Sequence, residues 1–159
     1  MTKKILVATE KPFASEAISL MKGVINGKPD FKIELLEKYT EAAQLKAAVK
    51  DADALIIRSD LASKEIIEAA SQLKIIVRAG AGYDNIDLAA ATAHKVVAMN
   101  TPGQNANAVA ELAFGMMVYM ARNKFSGKSG SELMGKKLGL HAYGNVSRNV
   151  ARIAKGFGM

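Results

Sequence analysis

Within its first hundred residues the chain repeats one pattern five times, a short apolar run followed by a longer stretch with helical periodicity. The runs at 4–8, 54–57, 74–77 and 96–99 and the alternating segment 31–36 read as strands. Between them, 13–25 sets Phe13, Ala17, Leu20, Met21 and Val24 on one helical face, 41–49 turns Ala42, Leu45 and Val49 inward, and 63–70 does so with Ile66, Ile67 and Ala70. Ser63 is placed to cap the third helix and Asp87 the fourth, 88–93. Parallel strands need long crossover connections, which these helices supply. The pattern therefore predicts an α/β fold, a doubly wound parallel sheet in flavodoxin-like order.

Composition narrows the chemistry. With 159 residues, 50% of them hydrophobic, the chain can bury one good core. It has no cysteine, and its two histidines, His94 and His141, lack metal-ligand spacing, so no metal site is expected. A cysteine-free chain without a signal-like first segment suits the cytoplasm. The net charge of +7 is spread over single and paired lysines interleaved with acids, a solvated surface rather than a nucleic-acid stripe. After Met120 the balance changes, with Arg122, Lys124, Lys128, Lys136, Lys137, Arg148, Arg152 and Lys155 facing only Glu132. That excess suits a polyanionic cofactor, or acids elsewhere in a longer chain.

Doubly wound sheets bind ligands at the carboxyl ends of their strands. The third strand ends in Arg58-Ser59-Asp60 and the fourth in Arg78-Ala79-Gly80-Ala81-Gly82, so two arginines leave the same sheet edge. Gly80 and Gly82 are expected to take positive φ and aim N–H groups outward as an anion-binding nest. An arginine fork beside such a nest suits a carboxylate or phosphate, which predicts a small doubly anionic ligand. The competing reading pairs the arginines with Asp60 or Asp84 and gives the glycines a turn alone. For Arg58 taken singly the two readings stand level.

Residues 100–105 form a turn-rich joint before a long helix, 108–121, whose one charge is Glu111. Such a helix is either buried all round or covered by a partner, and it is too short for a membrane span with an acid inside it. It is suited to a subunit interface. A loop, 122–134, leads to a strand predicted at 135–142 and a helix at 143–157 with Val146, Val150, Ile153, Ala154 and Phe157 on one face. Strand, glycine turn and helix are the setting of a dinucleotide-binding turn. Ala142 holds the first glycine's place and is tolerable at negative φ, Gly144 holds the second, and Ser147 replaces the third. On these residues alone, a nucleotide site and a plain βα turn both stand.

The stretches 75–87, 100–103 with 108–112, and 135–139 with 148–159 together resemble the D-isomer-specific 2-hydroxyacid dehydrogenases, most closely the phosphoglycerate-oxidising branch. The resemblance implies a substrate domain at 1–100 and the first part of an NAD-binding domain at 101–159, comprising the interface helix and a first βα unit. It implies that Arg58, Ser59, Arg78, Ala79, Gly80, Gly82 and Asn105 meet the substrate, a phosphorylated 2-hydroxy acid. Ala81 would lie near the nicotinamide of NAD, and Gly144, Asn145 and Val146 would hold its pyrophosphate. A cytoplasmic homodimer through the 104–122 helix follows, without nucleic-acid or membrane partners, acting in serine biosynthesis.

The family's catalytic arginine, acid and histidine match nothing in this chain and are expected beyond residue 159, leaving the chain alone inactive. His94, after a helix, is expected to be exposed or to favour the helix C-terminus, and His141 to be a satisfied core residue. The alternative reading is a non-catalytic binding or dimerisation module, such as a corepressor-like relative or truncated scaffold.

Overall fold

The structure, a computed structural model, describes residues 2–159 and divides into two compact units, Met1–Thr101 and Pro102–Met159. The first unit holds strands β1 (Lys3–Thr9), β2 (Phe31–Glu37), β3 (Ala54–Ile57), β4 (Ile75–Arg78) and β5 (Val97–Met99). They pair in parallel in the order β2-β1-β3-β4-β5. Helices α1 (Ser15–Ile25), α2 (Ala42–Ala48), α3 (Lys64–Ala69) and α4 (Leu88–Ala93) make the crossovers. The chain moves one way from β1 to β2 and the other way from β2 through β3 to β5. Right-handed crossovers therefore put α1 on one face and α2 to α4 on the other.

The core follows from that winding. Leu6, Ala8, Leu55, Ile57 and Ile76 of the sheet pack against Leu45, Ile66, Ile67, Ala90 and Ala91 of α2 to α4 and against Val49, the C-cap of α2, all buried. Each large aliphatic side chain so buried contributes roughly 1.5–3 kcal/mol. Because the strand order reverses at β1 and β3, their carboxyl ends flank a crevice.

Three local expectations change. In α1 the partly buried residues are Ala17, Ile18, Met21 and Ile25, while Leu20 and Val24 are 74% and 67% exposed. The apolar arc of α1 is wider than one sheet face can cover, so its outer row stays in water. Ala42, the first residue of α2, is exposed, since a helix's first turn projects past the layer it covers. Ser63 occupies the N-cap of α3 without a side-chain capping bond, whereas Asp87 accepts the Ala90 N–H at 2.9 Å.

The second unit consists of α5 (Ala106–Ala121), a 3-10 turn (Asn123–Phe125) and α6 (Asn145–Gly156). Ala110 and Phe114 of α5 pack on Val150 and Ala154 of α6, and the rings of Phe114 and Phe157 stack at 5.0 Å. Of the alternatives for α5, burial all round does not hold, because Val109, Leu112, Met116, Tyr119 and Met120 are exposed. The strand expected at 135–142, and with it the βα unit, does not form. A strand exists only through a ladder to a neighbour, and among the described residues none pairs with this segment. The Gly135 N–H donates instead to the Gly158 carbonyl at 2.9 Å. Among the described residues no helix is long and apolar enough to cross a membrane.

Candidate functional site

The crevice in the first unit is organised by one buried carboxylate. Asp60, 5% exposed, accepts the Glu10 N–H at 2.8 Å, the Tyr39 hydroxyl at 2.7 Å and the Arg58 N–H at 3.2 Å. Asp60 thus joins the chain ends that follow β1, β2 and β3. Burial, and then the hydrogen bond to Asp60, pushes the Tyr39 phenol well above its ordinary pKa, so it stays protonated as the donor. The reading of Asp60 as counterion to Arg58 fails, because its oxygens meet main-chain donors and a phenol. Among the described residues, neither the Arg58 nor the Arg78 guanidinium enters an ion pair.

Beside Asp60 lies a cavity of about 260 Å³ lined by Thr9, Glu10, Lys11, Arg58, Ser59 and Asp60. The Thr9 hydroxyl donates to the Lys11 carbonyl at 2.6 Å and closes the turn after β1. Sequence reasoning missed Thr9, Glu10 and Lys11, although the strand-end argument applied to β3 and β4 reaches the end of β1 equally. It also missed Tyr39, and it gave no role to Asn85 in the loop after the fourth strand, because the partners of both are distant in sequence and have no local signature.

The loop after β4 differs from the expected nest. Gly80 and Gly82 do not take positive φ. A Cβ at Gly80 would lie 2.9 Å from Nε and Cζ of Arg78, and one at Gly82 would lie 2.8 Å from Arg78 Nη1 and from Asp84 Oδ1, the movable ends of two side chains. The two glycines make room for the Arg78 side chain, whose Nε donates to the Arg58 carbonyl at 3.0 Å. The Gly80 N–H is spent on the Arg78 carbonyl at 2.8 Å. Among the described residues the N–H groups of Ala81 and Gly82 make no hydrogen bond, so they are the donors left to an anion.

Neighbouring strands hold this loop in place. Asn100 donates to the Ala81 carbonyl at 2.7 Å, and the Thr101 N–H to the Gly80 carbonyl at 2.9 Å. The Asn85 amide donates to the carbonyls of Asp60 at 2.6 Å and Arg58 at 3.3 Å. Arg58, Ser59, Arg78, Ala79, Gly80, Ala81 and Gly82 are thus brought together at adjoining strand ends, with Arg58 and Ser59 exposed and Arg78 half-buried. Chemically, the arrangement offers two unpaired guanidinium groups and two N–H donors to an anion.

The second unit carries its own donor group. Gly144 is the N-cap of α6 and supplies no side-chain cap, and a Cβ there would meet nothing within 4 Å. The first-turn N–H groups of Asn145, Val146 and Ser147 make no hydrogen bond among the described residues. An uncapped twelve-residue helix start beside a bare glycine fits a pyrophosphate, which takes such N–H groups and the positive end of the helix dipole. Arg148 reaches Asn145 Oδ1 at 3.4 Å and adds positive charge one turn in.

Two expectations at this turn are corrected. Ala142 has φ of 68°, not a negative value, so its Cβ carries the left-handed penalty that glycine at the first position avoids. His141 is exposed rather than in a core, because the strand that would have buried it does not form; His94 is an exposed C-cap residue. At the start of α5, Asn105 is an exposed N-cap without a side-chain bond. Gly103 has φ of 78°, and a Cβ there would lie 2.8 Å from the Asn145 amide nitrogen.

A family model described as D-isomer specific 2-hydroxyacid dehydrogenase, catalytic domain, matches residues 5–156. A hydroxypyruvate reductase of Thermotoga maritima is 39% identical, the match covering 80% of this chain and 46% of that protein. A D-3-phosphoglycerate dehydrogenase of Methanocaldococcus jannaschii is 37% identical over 98% of this chain and 31% of its own length. The NAD+-bound 3-phosphoglycerate dehydrogenase of Entamoeba histolytica superposes with a TM-score of 0.94 at 46% identity, covering all of this chain and 52% of that one. The D-lactate dehydrogenase of Escherichia coli, at 24% identity and a TM-score of 0.77, shares the fold. The chain spans about half the length of these relatives or less.

Proposed function

Because the chain belongs to the D-isomer specific 2-hydroxyacid dehydrogenase family, we propose that it is the N-terminal part of an NAD-dependent enzyme oxidising 3-phosphoglycerate to 3-phosphohydroxypyruvate in serine biosynthesis. The observation that carries the reading is the pair of arginines at adjoining strand ends, both without an ion-pair partner among the described residues while the nearest buried acid serves the backbone. A molecule bearing both a carboxylate and a phosphate suits that charge.

In this reading Arg78 and the N–H groups of Ala81 and Gly82 hold the carboxylate, and Arg58 with Ser59 takes the phosphate. Ala79 and Gly80 shape the loop beside Arg78, and Asn105 is assigned to the substrate by the family resemblance. Gly144, Asn145 and Val146 hold the pyrophosphate of NAD at the start of α6, and Ala81 is assigned to the nicotinamide by the family resemblance. When bound, NAD supplies the hydride acceptor for the hydroxyl-bearing carbon. The chain's own part is to fix both anionic ends so that this carbon presents one face. His94 and His141 take no proton in this scheme; that role, and polarisation of the carbonyl, belong to residues outside these 159.

The whole protein is proposed to be a cytoplasmic homodimer. Val109, Leu112, Met116 and Tyr119 recur at the 3-4-3 spacing of a helix seam on the open face of α5, which supports a second copy there.

The test is direct. Calorimetric titration of the chain with 3-phosphoglycerate, D-glycerate and NAD should show binding, with the phosphorylated acid preferred, while absorbance at the NADH band shows no turnover. Turnover by the 159-residue chain would overturn the assignment of its catalytic groups, and absence of any anion binding would overturn the site.

A further inference from the structure

The loop after β4 holds one buried acceptor with nothing to accept. Among the described residues Asn85 Oδ1 is buried and meets no donor, while its Nδ2 donates to the Asp60 carbonyl at 2.6 Å and to the Arg58 carbonyl at 3.3 Å. Turning the amide over would set Oδ1 against two carbonyl oxygens, so those acceptors fix its orientation. An unpaired buried oxygen costs stability, and a leucine of similar shape would avoid that cost. What the amide supplies, and leucine does not, is a pair of N–H groups spanning two carbonyls after β3.

Of those two carbonyls, that of Arg58 matters to the site. It lies one residue past the end of β3 and, among the described residues, accepts no main-chain N–H. Its donors are two side chains, Asn85 Nδ2 and, at 3.0 Å, Arg78 Nε. Among the described residues the Arg78 side chain makes that one hydrogen bond and no ion pair, so the carbonyl is its anchor. Asn85 itself has a firm base. Its own carbonyl accepts the Ala62 N–H at 2.9 Å, the Asp87 N–H donates to the Ala62 carbonyl at 3.0 Å, and Ile86 between them is buried.

We propose that Asn85 is a positioning residue of the substrate site: it holds the Arg58 carbonyl beside Arg78 Nε and so fixes the guanidinium that takes the substrate carboxylate. This rests on the substrate reading above. Asn85 acts through Arg58 and Arg78 and touches no reacting atom.

The experiment compares Asn85→Leu, which keeps the shape without the donors, and Asn85→Ala with the wild-type chain. Exchange of the Arg78 Nε–H, followed by NMR at mildly acidic pH, should accelerate about tenfold in both variants beyond any change in the β3 amides. Affinity for D-3-phosphoglycerate should fall about five- to tenfold, the factor that goes with one hydrogen bond. D-Glycerate, which shares the carboxylate, should weaken by the same factor. An Arg78 Nε–H that exchanges at the wild-type rate, β3 amides accelerated as much as that signal, unchanged affinities, or a loss confined to the phosphorylated acid would each overturn the role of Asn85 while leaving the hydroxy-acid site standing. A wild-type chain that binds neither acid would overturn the site and this inference together.

Discussion

Replacing Asp60 with alanine withdraws one buried acceptor from three donors. The Glu10 N–H, the Arg58 N–H and the Tyr39 hydroxyl lie 2.8, 3.2 and 2.7 Å from its oxygens, and the residue is 5% exposed. A hydrogen bond to a charged acceptor contributes roughly 1.5–3 kcal/mol, and the long Arg58 bond belongs at the bottom of that range. Water reaches Glu10 and Arg58 from the cavity side and recovers part of the loss, and relief from burying a carboxylate recovers more. The expected net cost is about 3 kcal/mol, at the low end for breaking a buried charged network. Tyr39→Phe leaves two N–H donors on the carboxylate and should cost about 1–2 kcal/mol.

Amide hydrogen exchange across β1 and β3 is the suitable assay, since it reads local opening without treating two compact units as one transition. A cost of about 3 kcal/mol accelerates exchange roughly a hundredfold. Anion affinity should fall as well, although Asp60 touches no ligand, because Arg58 loses its main-chain anchor. If Asp60→Ala exchanges within about threefold of wild type, equivalent to less than 0.7 kcal/mol, the carboxylate is not the clip described.

Three further outcomes follow from other parts of the molecule. Ala142→Gly should leave the second unit unchanged or more stable, because relief of a left-handed alanine, about 1–2 kcal/mol, offsets the added chain entropy of glycine, about 0.4–1 kcal/mol. A destabilisation of α6 amides by about 1 kcal/mol would refute the positive φ. At the amino edge of the sheet, Glu34 is held below its ordinary pKa by Lys32 and Lys4, Asp51 by Lys4, and Asp53 by Lys3 and the Lys4 N–H. Since these folded values are depressed, their stabilisation is present above the unfolded value of about 4 and is lost as pH falls through the folded ones. Melting Lys4→Met between neutral and acid pH should show a shallower fall than wild type, and an identical fall would remove Lys4 from the network. Finally, Leu112→Lys places a charge in the exposed seam of α5, 65% open in the single chain, and should convert a dimer to monomer by analytical ultracentrifugation. Dimers that survive at unchanged affinity would move the interface elsewhere.

The places where sequence reasoning succeeded and failed separate by the range of the interactions involved. All five strands of the first unit lie where apolar runs predicted, and Asp87 caps α4 as its position implied, because both signals are local to a few residues. Gly80 and Gly82 were singled out for a positive φ that they do not take. What the two glycines adjoin, the Arg78 side chain folded back over the loop, is a tertiary contact. The strand at 135–142 failed for the complementary reason, since its apolar pattern is genuine and a ladder partner is not among the described residues. The same absence overturned the burial of His141.

The order of elements, the direction of the sheet, and the presence of two arginines and a glycine turn at strand or helix ends were determined by the sequence alone. They depend on periodicity, crossover length and backbone chemistry, which are properties of short segments. What only the tertiary structure decided is how those groups are charged and held. Asp60 is spent on the main chain after β1 and β3 and on Tyr39, Arg78 is anchored to the Arg58 carbonyl, and Lys11 lines the cavity from the end of β1. Whether an arginine is neutralised by its neighbour or left for a ligand depends on where every other donor has gone, and that allocation exists only once the strand ends have been brought side by side.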